Sequence, residues 1–146
     1  MRNERYEIET TPSPATYTFV SEGRKGRITK IIKYVELENS GFYNLGFGDK
    51  LGDTEDFDDK IVSNNGDRQK VLATVAATIY DFTDKNPTAF LVVKGSSLSR
   101  TRLYRINISN FWEEISRDFH VFGQLNKRWY PFEHNQDYAV FLLKRK

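Results

Sequence analysis

Two short stretches hold residue types at spacings that could do chemistry. The first is SNNGDR, residues 63–68, which leads from a strand-like segment into a helical pattern. A helix N-terminus presents free N–H groups and a partial positive charge, so such a corner favours a bound anion. Gly66 can take backbone angles closed to other residues, and Arg68 adds a mobile cation. Asn64, Asn65, Gly66, Asp67 and Arg68 are therefore the candidate cofactor-binding residues. Asp67 argues the other way. As a helix cap it satisfies those N–H groups itself, adds about 1 kcal/mol and repels phosphate. A plain structural corner is the weightier reading of this turn.

The second stretch is KGSSLSRTRLYR, residues 94–105. Lys94, Arg100, Arg102 and Arg105 gather beside Ser97, Ser99 and a second helix start, and guanidinium and hydroxyl groups suit phosphate oxygens. In a helix Arg102 and Arg105 share a face, with Tyr104 turned partly aside. Lys94, Ser97, Ser99, Arg100, Arg102 and Arg105 are the candidate anion-binding residues. A solvated basic helix face, paired with the acids of residues 53–59, weighs as much. The patch follows an apolar strand, and ligands of mixed sheets tend to sit beyond the carboxyl ends of strands. If strands 59–65 and 88–95 run parallel, the turn at Gly66 opens on the same side.

Other constellations are weaker. Asp53, Glu55, Asp56, Asp58 and Asp59 lack the calcium-loop spacing and read as an exposed acidic loop. His120 and His134 are the only histidines, and neither stands in a nucleophile or metal-ligand pattern. No metal site is expected. Trp129, Tyr130 and Phe132 beside Lys127 and Arg128 could stack on bases, though covering the core is the weightier role.

The elements that must position these residues are legible in part. The 146 residues suit one domain with one core over residues 1–146, with 1–15 as an edge segment or loosely held arm. Aromatics make up 14%, enough for a real core, and the net charge of +2 permits an acidic partner without arguing for one. With no cysteine, disulfides and thiolate chemistry are excluded. No apolar run approaches a membrane span and no signal-like segment opens the chain, so a cytoplasmic protein is expected. Residue type and alternation predict strands over 17–23, 28–38, 42–49, 59–65 and 137–146, the apolar run 88–95 reads as a central buried strand, 120–125 as a strand or an extended connection, and 129–136 as a polar-aromatic loop. Val71, Leu72, Val75, Ile79 and Phe82 form one apolar stripe of a helix ending before Pro87. Residues 96–119 read as a short helix before a second, or as one helix kinked near Asn107. The class is α+β, a mixed and mostly antiparallel sheet with two main helices in the order β-β-β-β-α-β-α-β-β.

Two resemblances follow. In VSNNGDRQKVLATVAATIYDF, KGSSLSRTRLYR and the closing FLLKRK, the chain resembles a family of small bacterial proteins with no assigned function. Its element order over residues 17–146 resembles the GCN5-related N-acetyltransferases, in which a strand, a Gly-rich turn and a helix hold the coenzyme A pyrophosphate. The family's turn positions fall on Ser63, Gly66 and Arg68, of which Gly66 fits. Its downstream positions fall on Ser97, Arg100, Leu103 and Tyr104, of which the Leu-Tyr pair fits. That resemblance implies Tyr104 as the general acid protonating the departing thiolate.

The leading expectation is a non-catalytic binding module for an anionic partner, nucleic acid or a phosphorylated small molecule, needing no cofactor. The runner-up is an acyl-coenzyme A-dependent N-acyltransferase with a divergent pyrophosphate turn. A third is a protein-interaction partner using the aromatic loop 129–134.

Overall fold

The computed structural model describes residues 4–58, 64–95 and 97–146. It is an α+β structure, with a mostly antiparallel open sheet and three helices among the described residues. In chain order the elements are β1 (Glu9–Thr10), β2 (Thr16–Gly23), β3 (Gly26–Glu36), β4 (Phe42–Lys50), β5 (Phe57–Asp58) and α1 (Arg68–Lys85). Then come β6 (Phe90–Val93), α2 (Leu98–Asn110), α3 (Trp112–Asp118), β7 (Phe119–Leu125), β8 (Arg128–Pro131) and β9 (Val140–Arg145). Along the sheet the strands lie β1-β2-β3-β4-β6-β9-β7-β8, and β5 pairs β4. β4 and β6 run parallel, while β6–β9, β9–β7 and β7–β8 are antiparallel. The strand expected over 59–65 lies largely outside the described residues.

The chain divides into two compact units, one of residues 1–35 and 46–85, the other of residues 36–45 and 86–146. β4 runs through both.

In the first unit, β2 and β3 pair from Thr16↔Lys33 to Gly23↔Gly26. Tyr17, Phe19, Ile32 and Tyr34 are buried on one face. α1 closes on them: the Tyr34 and Phe82 rings stack at 4.3 Å, and the Tyr34 hydroxyl meets Thr78 Oγ1 at 2.8 Å. The buried stripe of α1 differs from the apolar one. Val75 and Phe82 are inside as expected, but Thr74, Thr78 and Thr83 join them while Val71, Leu72 and Ile79 are half-exposed. Threonine can be buried here because each hydroxyl donates back into its own helix: Thr74 to Lys70 O at 2.7 Å, Thr78 to Val75 O at 2.7 Å, Thr83 to Ile79 O at 2.8 Å. The N-terminal segment is anchored, with β1 on β2 and the Tyr6 ring stacked on Phe19.

In the second unit, Leu91, Val121, Phe141 and Leu143 carry the core, and α3 lays Trp112 on Phe132, rings 4.9 Å apart. The helical stretch breaks at Phe111, whose φ −110 and ψ 25 leave the helix, giving two helices there. Part of the expected aromatic loop is instead β8. Asn126 and Lys127, with φ 49 and 64, make a tight turn whose twist suits a hairpin, so Leu125↔Arg128 can pair.

Candidate functional site

The basic corner of the second unit is built by the turn from β6 into α2. Ser97 caps the helix, accepting from Arg100 N at 3.2 Å. Thr101 locks the turn: its N–H and hydroxyl both donate to Ser97 O, and its Oγ1 accepts from Gly95 N at 3.0 Å. Gly95 is required, since a Cβ there would lie 2.4 Å from Thr101 N and 2.7 Å from Arg100 Cβ. This packing sorts the candidate anion-binding residues. Lys94, Ser97, Ser99 and Arg102 are exposed, and Arg100 and Arg105 are half-buried. Arg105 pairs with Asp137 at 3.2 Å. Among the described residues, no acid pairs with Lys94 or Arg102. Tyr104 is half-buried; burial pushes its phenol up, and the Arg100 guanidinium offsets part of that rise.

The Gly66 corner belongs to the first unit. Gly66 has φ 79, and the side chain of Arg24 lies over it, Nε 3.2 Å from where a Cβ would stand. Asn64 Oδ1 accepts from Gly66 N at 3.0 Å. Asn65 is buried and clips the β2–β3 turn: Oδ1 accepts from Lys25 N at 2.6 Å, and Nδ2 donates to Gly26 O at 2.9 Å and to Ser21 Oγ at 3.1 Å. The Asp67 carboxylate accepts from the Tyr6 hydroxyl at 2.6 Å and from Ser21 Oγ. Three of the candidate cofactor-binding side chains thus hold protein groups, and Arg68 is exposed.

A model of a family of unknown function, DUF6934, matches residues 2–146. The chain belongs to that family. No curated protein and no solved structure matches it.

Two features escaped the sequence reading. Lys30 is buried in β3 and forms an ion pair with Asp49 of β4. The signal was there: Lys30 shares strand parity with Ile28, Ile32 and Tyr34, which puts its side chain on their face. The aromatic cluster also divides. Phe132 is core, whereas Trp129 and Tyr130 on β8 are 42% and 44% exposed. His134 meets Trp112 edge-on at 5.7 Å, and His120 is exposed. In the acidic loop, Glu55 accepts from the Ser13 hydroxyl and Asp56 approaches Lys33 at 3.6 Å. Hydroxyls from Ser13 and Thr11 hold the Glu55 carboxyl below its usual value. Among the described residues, no cluster has the make-up of a metal site and no helix is long and apolar enough to cross a membrane.

Proposed function

We propose that the chain is a non-catalytic binding module for an anionic partner, a nucleic acid or a phosphorylated ligand, with the β6–α2 corner as its contact. One observation carries the reading. Lys94 and Arg102 are exposed beside a capped helix start, and no acid among the described residues neutralises either. A helix N-terminus and exposed cations favour phosphate together, and the Gly95–Thr101 hydrogen bond ties the segment that carries Lys94 to the start of α2.

A second reading, an acyl-coenzyme A-dependent N-acyltransferase, draws on the Leu103-Tyr104 pair of α2, with the Tyr104 phenol as the general acid. One binding experiment separates the two. Inorganic pyrophosphate, duplex oligonucleotide and coenzyme A are each titrated against wild type and a Lys94→Ala/Arg102→Ala variant. The binding module predicts salt-sensitive affinity for the first two that falls about tenfold or more in the variant. Affinity confined to coenzyme A, together with acyl transfer from acetyl-coenzyme A to an amine, sinks the first reading in favour of the second; no affinity for any probe sinks both.

A further inference from the structure

The sheet of the second unit has two unlike faces. Leu91, Leu143 and Val121 line up on one, and this face is buried, with Phe132 under Trp112. On the other, strand register sets Phe42, Phe90, Lys144 and His120 side by side across β4, β6, β9 and β7. Phe122 and Trp129 stand on this same face of β7 and β8, since Phe122 pairs Pro131 and Gln124 pairs Trp129. Phe42, Phe90, Phe122 and Lys144 are half-exposed, His120 and Trp129 are exposed, and Leu142, between Val92 and Phe122, is buried. The Phe42 and Phe90 rings stack at 4.7 Å, with Lys144 Nζ 5.7 Å from the Phe90 ring centre. No Asp or Glu occupies a paired position on this face, and exposed Lys94 follows Val92 of the same face by two residues.

We infer that this face binds a single-stranded nucleic acid, with bases stacked on the rings and phosphates drawn by the cations. The inference rests on the anionic-partner reading above and narrows its class. Exposed rings on a sheet face have little use for a duplex, whose bases are already stacked. Unpaired bases each offer a π-face, and stacking on Phe or Trp is tolerant of sequence. From β4 to β8 the rings spread over four strand spacings, about 19 Å, which suits an extended chain rather than a single nucleotide.

The test is fluorescence titration of the full chain with a short oligothymidine, against a duplex of the same length. Wild type should bind the single strand more tightly than the duplex, lose affinity as salt rises and show quenched tryptophan emission. Trp129→Ala, exposed on an edge strand, should weaken binding about tenfold without moving the thermal midpoint, and Lys144→Gln should flatten the salt dependence. Equal affinity for duplex, or unchanged affinity in Trp129→Ala, overturns the inference. The two proposals fail separately. If Lys94→Ala/Arg102→Ala abolishes binding while Trp129→Ala leaves it intact, the corner stands and the face falls; the reverse keeps the face and removes the corner.

Discussion

At the scale of single residues, the most consequential side chain is Lys30. Its side chain is 2% exposed and its ammonium pairs with Asp49, whose side chain is 16% exposed. Desolvating such a pair costs nearly as much as its attraction returns, so the pair adds little net stability, yet losing one half is expensive. Asp49→Ala, which takes the carboxylate from a buried ammonium, should therefore destabilise by about 3 kcal/mol in urea unfolding. Lys30→Met combined with Asp49→Leu should recover most of that loss. A double variant as unstable as Asp49→Ala alone would show that Lys30 contributes something other than a compensated charge. Asn65 teaches a related lesson. Its type and place beside Gly66 suited a phosphate turn, but its amide is occupied by Lys25, Gly26 and Ser21, which only folding brings near.

At the scale of elements, the corners are what the chain specifies most tightly. Gly95 packs directly on the first turn of α2, where a Cβ would meet Thr101 N and Arg100 Cβ. Gly95→Ala should cost about 2 kcal/mol through overpacking, read as a lower urea midpoint at unchanged slope. A neutral result would mean that α2 can shift away at no cost. β2, β3, β4, β7 and α1 were visible in the sequence because alternation and helical period act locally. β8 was not, because its strand character depends on the Asn126-Lys127 turn and on pairing with β7. The buried face of α1 was only half legible. Apolar counting passes over threonines whose hydroxyls are satisfied by their own helix.

At the scale of the whole molecule, stability should form a plateau in pH with two edges. The Tyr17 hydroxyl donates to Asp81 at 2.6 Å, and burial with that bond raises the phenol well above its ordinary value. The same bond, with Lys85, holds the Asp81 carboxyl low despite its partial burial. A lowered carboxyl contributes stability that is complete above its unfolded value of about 4 and fades as pH falls through the folded one. A raised phenol contributes stability that is complete below its unfolded value of about 10 and fades as pH rises through the folded one. Thermal midpoints should thus be flat between about pH 5 and 9 and drop on both sides. Tyr17→Phe should lower the plateau and soften both edges; unchanged edges would mean that this pair does not govern them.

The sequence by itself determined the α+β class, most element positions, the glycines at the two corners and the cluster of cations at 94–105, because each depends on near neighbours in the chain. Only the tertiary structure decided which of those groups were occupied. Asp137 reached Arg105, Tyr6 and Ser21 reached Asp67, and cross-strand register set Phe42, Phe90, Lys144 and His120 in one row. Pairings between residues far apart in the chain follow from strand order and register, and no local pattern encodes those.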